Sequence, residues 1–224
     1  MTKIKLCGLT RPCDIEWANA LAPDYIGFVF AKKSRRYISP KGAKALREGL
    51  DSGIRAVGVF VNEAPEAVAA LLNDGVIDIA QLHGGEDGAY IEALRKLTDR
   101  PLIQAFRVDG AHDLKRARES RADIILLDSG AGGTGTAFDW ALLKGFERPY
   151  FLAGGLGPGN VARAVGALHP FAVDVSSGIE TDGVKDQAKM RAFVEAVRGI
   201  DMDASMNNGS LLEAMRTYSS LRSE

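Results

Sequence analysis

Eight short apolar runs, separated by amphipathic segments, most narrowly limit what this chain can fold into. They are "IKLCG" (4–8), "YIGFVF" (25–30), "AVGVFV" (56–61), "IDIAQLH" (77–83), "LIQAFRV" (102–108), "DIILLD" (123–128), "YFLAGG" (150–155) and "FAVDVS" (171–176). Each is rich in Val, Ile, Leu or Phe, as strands covered on both faces are. Helical patterns fill the intervals: "PCDIEWANAL" (12–21), "SPKGAKALREGL" (39–50), "EAPEAVAALLNDG" (63–75), "GAYIEALRKL" (88–97), "AHDLKRARE" (111–119), "DWALLKGF" (139–146), "NVARAVGAL" (160–168) and "KMRAFVEAVRG" (189–199). Ser39 stands where an N-cap belongs, with Pro40 at the first helical position. Gly75 is a helix stop.

Eight strand–helix units in one chain is the (β/α)8 count, and 224 residues is near the lower size for that fold. An open doubly wound sheet also alternates, but eight parallel strands without a long insertion suit closure better. The expectation is therefore an α/β chain with a single (β/α)8 TIM barrel over residues 1–199. Residues 200–224 form a separate extension, polar at first and then with Leu211, Met215, Tyr218 and Leu221 on one helical face. It is expected as one extra exterior helix or a partly ordered tail. No sequence repeat of fixed period is visible.

Composition removes several functional classes. The 28 basic and 29 acidic residues leave a net charge of −1, without the basic excess of a nucleic-acid surface. No apolar run approaches the ~20 residues of a membrane-spanning helix, and "MTKIKLCG" lacks the apolar core of a signal peptide. Two cysteines without a secretory signal suit a reducing cytoplasm better than a disulfide framework. The expected partner is a small molecule, with no nucleic acid and no membrane, and the expected state is a cytoplasmic monomer.

In a barrel of this kind the chemistry sits at the C-terminal strand ends. Those ends carry Cys7, "AKKSRRYIS", "QLHG", Arg107, Asp128, "AGG" and "SSG", whereas "LTDRP" and "SGIR" at the other ends read as turns only. "LAGGL" with Gly154 and Gly155, and "VSSGIE" with Ser176, Ser177 and Gly178, offer unobstructed backbone N–H groups and hydroxyls. They follow strands 7 and 8, where barrels seat a phosphate. A third glycine loop, "SGAGGTGTAF" (129–138), has no Gly-Lys-Ser/Thr and is not a Walker loop. "GPGNVA" (157–162) has Rossmann-like spacing, but only one strand follows it.

Cys7 and Cys13 are separated by five residues, which fits neither a Cys-x-x-Cys redox pair nor a zinc knuckle. His83, His112 and His169 do not cluster with them, so no metal is expected. Cys13 reads as packing. Cys7 reads either as a packed thiol or, given its place on the rim, as a functional one.

The strings "KLCGLT", "DYIGFVFAKKSRRYISP", "QLHG", "AFRV", "LLDS", "GGTGTAFDW", "LAGGL" and "VDVSSGIETDGVKD" occur in order, one per βα unit. Over residues 3–198 the chain thereby resembles the phosphoribosylanthranilate isomerases of tryptophan biosynthesis. The resemblance implies a (β/α)8 barrel that uses no cofactor. It implies that Cys7 is the general base, Asp128 the general acid and Arg36 the ligand of the anthranilate carboxylate, with the phosphate on the loops after strands 7 and 8. Thr136 stands where that family often has lysine, and the tail after Gly199 exceeds its usual end.

The chemistry agrees with those residue types. An Amadori rearrangement needs an acid at the furanose oxygen and a base at C2, each worth about 10²–10⁴-fold. Asp128 must then hold a proton and Cys7 lose one, which a cationic neighbourhood would favour. Arg36 suits a carboxylate because its planar fork can grip both oxygens. Gln81 and His83 close strand 4, as pocket lining or as structure; Asp174, on the face of Ser176, suits a buried polar network. The rival readings are a phosphosugar-binding barrel without turnover, a thiol redox protein and a different phosphosugar isomerase.

Overall fold

The computed structural model describes residues 1–128, 140–143 and 145–200. Eight strands, β1 (Lys3–Cys7), β2 (Tyr25–Val29), β3 (Arg55–Phe60), β4 (Ile79–Leu82), β5 (Leu102–Arg107), β6 (Ile124–Asp128), β7 (Tyr150–Ala153) and β8 (Ala172–Val175), close into one parallel barrel in sequence order. Helices α1 (Pro12–Leu21), α2 (Pro40–Glu48), α3 (Pro65–Asn73), α4 (Gly88–Arg95), α5 (Ala111–Glu119), α6 (Val161–Leu168) and α7 (187–200) surround it. The first three each begin on proline, whose fixed φ and missing N–H cost nothing there. Ser39 caps α2 by accepting from Gly42 N at 3.1 Å, as its position predicted.

Side-chain alternation divides the strands into two cores. Leu6, Ile26, Phe28, Phe60, Leu82, Leu127 and Leu152 face outward and pack beneath the helices. Tyr25, Val57, Ile79, Ile103, Leu126 and Phe151 face inward and fill the barrel. The interior is therefore solid below the mouth.

Three features depart from expectation. The described part of the helix expected over 139–146 is a single 3-10 turn, Trp140–Leu143. After β8, a two-stranded hairpin, β9 (Glu180–Thr181) with β10 (Val184–Lys185), precedes α7. The strand-start rim, read as plain turns, also carries a repeated device. Asp24, Asp78 and Asp123 each stand just before an even-numbered strand, and each carboxylate accepts the first free N–H of the preceding strand. The donors are Ile4 N at 2.9 Å, Ala56 N at 2.7 Å and Leu102 N at 2.7 Å. Lys3, Arg47 and Arg95 hold the same three carboxylates from outside. The glycine loop 129–138, Thr136 and the extension beyond residue 200 lie outside the described residues.

This rim is far from the strand ends that carry the candidate chemistry, so stability and activity should separate there. Asp78→Ala removes an ionic acceptor from Ala56 N and should lower unfolding free energy by about 1.5–3 kcal/mol. Urea denaturation checks the loss, and turnover of the folded variant should stay near that of the parent.

Candidate active site

A cavity of about 580 Å³ opens at the C-terminal mouth. Cys7, Arg36, Gln81, His83, Asp128, Gly154, Gly155, Ser176 and Ser177, the residues singled out in the sequence, all line it. Gly178 does not. Its backbone runs so close to the β7 loop that a Cβ would lie 2.0 Å from Leu156 O. Its part is to let the two loops touch rather than to form the wall. Gly154 and Gly155, with φ of 90° and 62°, turn the β7 loop in a conformation that favours glycine. Asn160 then closes that loop, accepting from Gly157 N at 2.8 Å and donating to Gly155 O at 2.9 Å. The Rossmann-like spacing of "GPGNVA" is thus a closed turn. Arg107 also lines the cavity, but its Nε is turned to Asp109.

Cys7 ends β1 opposite Gly27, where a Cβ would come within 2.6 Å of Sγ; the glycine makes room for the thiol. Val29, Val59 and Ala31 pack around it as an apolar wall. Burial pushes the Cys7 thiol up, against the pull of the Lys5 and Lys185 ammonium groups. A cationic neighbourhood that would favour the thiolate is present, yet desolvation outweighs it. Both cysteines are free thiols.

Lys5, which the sequence reading passed over, is fully buried in the barrel. It donates to Asp174 Oδ1 at 3.0 Å and to Gln81 Oε1 at 2.9 Å. Burial favours the neutral amine, but Asp174 and Cys7 together raise Lys5 above its ordinary value. Because Lys5 can only donate, the Gln81 oxygen must face it and the Gln81 amide nitrogen faces His83 Nδ1, at 2.8 Å. That orientation places the His83 proton on Nε2, 3.5 Å from Asp128 Oδ2. Asp174 therefore lines the cavity and anchors a polar chain that ends at Asp128.

Arg36 is not an idle fork. Its Nε and Nη2 hold Glu180 Oε1 and Oε2 at 2.6 and 2.9 Å. Lys185, opposite Glu180 in the hairpin, donates to the same carboxylate at 2.7 Å and to Ser176 O at 2.9 Å. Arg35 adds a further bond at 2.8 Å. Two sequence signals pointed to these missed residues. Asp-Gly at 182–183, with φ of 51° and 82°, is a two-residue hairpin turn that pairs Glu180 with Lys185. Lys5 lies two residues before Cys7 on a strand, hence on the same face. Among the described residues, no group of three or more His, Cys, Asp or Glu is placed to hold a metal ion.

Residues 4–196 match the family model described as N-(5'phosphoribosyl)anthranilate (PRA) isomerase. The chain belongs to the PRA isomerase family. The N-(5'-phosphoribosyl)anthranilate isomerase of Thermoanaerobacter sp. (strain X514) is 45% identical over 206 residues, covering 89% of this chain and all of the relative. The crystal structure of the Thermotoga maritima PRA isomerase superposes with a TM-score of 0.81 at 36% identity, again covering 89% of this chain and 100% of that one. A PRA isomerase crystallised with reduced 1-(o-carboxyphenylamino)-1-deoxyribulose 5-phosphate gives a TM-score of 0.80 at 36% identity and the same coverage. The barrel described above is the fold of this family.

Beside this cavity, Glu180 ties the stability of the fold to pH. Burial works to raise its carboxyl, but hydrogen bonds from Arg36 and Lys185 overcome that and hold it down to about 2, against an ordinary 4.5. A depressed folded-state pKa gives stability that is complete above the unfolded value and is lost as pH falls. The Glu180 contribution should therefore fade between pH 4.5 and about 2. Denaturant unfolding at several pH values should show Glu180→Gln less stable than the parent at pH 7 and losing less over that window.

Proposed function

We propose that this chain isomerises N-(5'-phosphoribosyl)anthranilate by an Amadori rearrangement, with Cys7 as general base and Asp128 as general acid. The observation that carries the reading is that both groups line one cavity whose remaining wall supplies Arg36 and the glycine-rich β7 and β8 loops. Asp128 donates its proton to the furanose ring oxygen as the C1–O bond breaks, and the anilino nitrogen lone pair forms the protonated imine. That cation acidifies C2–H, and the Cys7 thiolate removes the proton to leave the enolamine. Protonation of C1 by the Cys7 thiol, with the C2 hydroxyl proton passing to the Asp128 carboxylate, gives the ketone and restores both groups. No electron donor or acceptor is consumed. The product is 1-(2-carboxyphenylamino)-1-deoxy-D-ribulose 5-phosphate.

A substrate held this way places its phosphate on Gly154, Gly155, Ser176 and Ser177. Its carboxylate then lies on Arg36 and its ring beside Val29, Ala31 and Val59. Gln81 and His83 line the wall between, with His83 next to the acid. In the closed strand order, β1 lies between β8 and β2, so a molecule spanning those ends passes over Cys7. The raised thiol makes thiolate the minor form at neutral pH and a stronger base once formed. The enzyme is proposed as a cytoplasmic monomer, with its two thiols free. A dimeric form is described for the Thermotoga maritima relative, so sedimentation of this chain decides that point.

The test is a fluorescence assay for loss of phosphoribosylanthranilate. Cys7→Ser and Asp128→Asn should each fall by about 10²–10⁴-fold in kcat with folded structure intact. Near-parental turnover in either variant removes that residue from its role, and binding without turnover in the parent would favour a non-catalytic phosphosugar barrel.

A further inference from the structure

A lysine with no exposed surface in the middle of a barrel is costly unless its charge has work to do. An apolar residue of similar volume would satisfy packing alone. Lys5 lies beneath Cys7 on the inward face of β1 and is register-paired with Asp174 on β8. Four charged groups bear on the Cys7 sulfur: Lys5 from its own strand, Asp174 from β8, Lys185 from β10 and Arg36 from the loop after β2. The two cations other than Lys5 have their hydrogen bonds directed elsewhere. Arg36 has its Nε and Nη2 on Glu180. Lys185 directs its bonds to Glu180 Oε1, Ser176 O and Ser176 Oγ, a full set for an ammonium. Asp174 has the wrong sign to stabilise a sulfur anion. Lys5 spends two protons, on Asp174 Oδ1 and Gln81 Oε1, and has one left for the side on which Cys7 lies.

We propose that Lys5 is the positioning residue of this site: it supplies the positive charge against which a buried Cys7 thiolate forms, in competition with Asp174. Through Gln81, the same ammonium fixes the His83 proton on Nε2 and so directs an N–H at Asp128. One buried cation thereby serves both the base and the acid. The inference rests on the reading of Cys7 as the base, but the coupling between Lys5 and the thiol exists whether or not the chain turns over.

The two partners of Lys5 make opposite predictions, which a purely structural role would not. In a Cys13→Ser background Cys7 is the single thiol, so its alkylation by iodoacetamide as a function of pH reports its ionisation without substrate. Lys5→Met should move the midpoint of that profile upward by roughly one to three pH units, with a tenfold loss of thiolate per unit at fixed pH. Asp174→Asn removes the competing anion and should move it downward, giving faster alkylation. An unmoved or lowered midpoint in Lys5→Met, or slowed alkylation in both variants, overturns the proposal. If Lys5→Met does not fold, Asp174→Asn decides alone: a faster reaction supports the coupling, and an unchanged or slower one ends it. An active Cys7→Ser enzyme would instead sink the base assignment while leaving this titration intact.

Discussion

β1 is hydrogen-bonded along both edges, to β2 and to β8, and that closure dictates what the rest of the site must provide. A strand has two faces and no third choice, so Leu6 enters the helix-covered core while Lys5 and Cys7 turn inward. An inward lysine has no water to reach. It is tolerated because the register sets Asp174 beside it and because Gln81, projecting from the facing strand, offers an oxygen. Those choices propagate. The Gln81 amide has only one orientation compatible with Lys5, and that orientation decides the tautomer of His83 and turns its Nε2 proton toward Asp128, 3.5 Å away. A single register between two strands thus reaches across the mouth to the opposite wall.

The backbone of the mouth is as constrained as its charges. Gly27 leaves the space that the Cys7 thiol occupies, and Gly178 lets the β8 loop lie against Leu156. Gly8, at φ +82°, also passes within 2.5 Å, measured from a Cβ position, of Arg36 Cδ. These three glycines are places where side chains or loops come into contact, and a methyl group at any of them would move a site residue. The hairpin of β9 and β10 completes the arrangement. It brings Glu180 and Lys185 into register so that a carboxylate and an ammonium neutralise each other beneath Arg36.

The strands were legible in the sequence to within a residue or two because burial on both faces leaves an uninterrupted apolar run between turns. The site rim was legible for the same reason: a polar residue terminating such a run stands out, as Cys7, His83, Asp128 and Ser176 do. Lys5 did not stand out, because a lysine near the start of a short strand reads as an exposed end; only its parity with Cys7 betrays it. Glu180 and Lys185 were hidden by length, since strands of two residues have no periodicity to detect. The aspartates before β2, β4 and β6 were hidden by distance, because each caps a strand twenty or more residues upstream. The segment 139–146 carries a helical pattern, yet its described part winds only into a 3-10 turn.

The geometry of Arg36 bears on how a carboxylate could be recognised at this mouth. A guanidinium has five N–H donors arranged on two usable edges. Glu180 occupies the Nε–Nη2 edge and is itself held by Lys185 and Arg35, so an arriving anion gains little by displacing it. Among the described residues, the Nη1 side is the edge that remains for a carboxylate in the proposed binding mode. Prior engagement by Glu180 fixes the plane of that edge before any ligand arrives, and the ordering cost of a long flexible side chain is then met in folding instead of in binding. A lysine at position 36 could not reproduce this arrangement. Its one nitrogen would have to serve Glu180 and the incoming carboxylate from the same point, and neither would fix its direction. The same logic applies to Lys5, whose charge is oriented by Asp174 and Gln81. In both cases an internal anion holds a cation in the pose required of it, and the cation keeps donors in reserve.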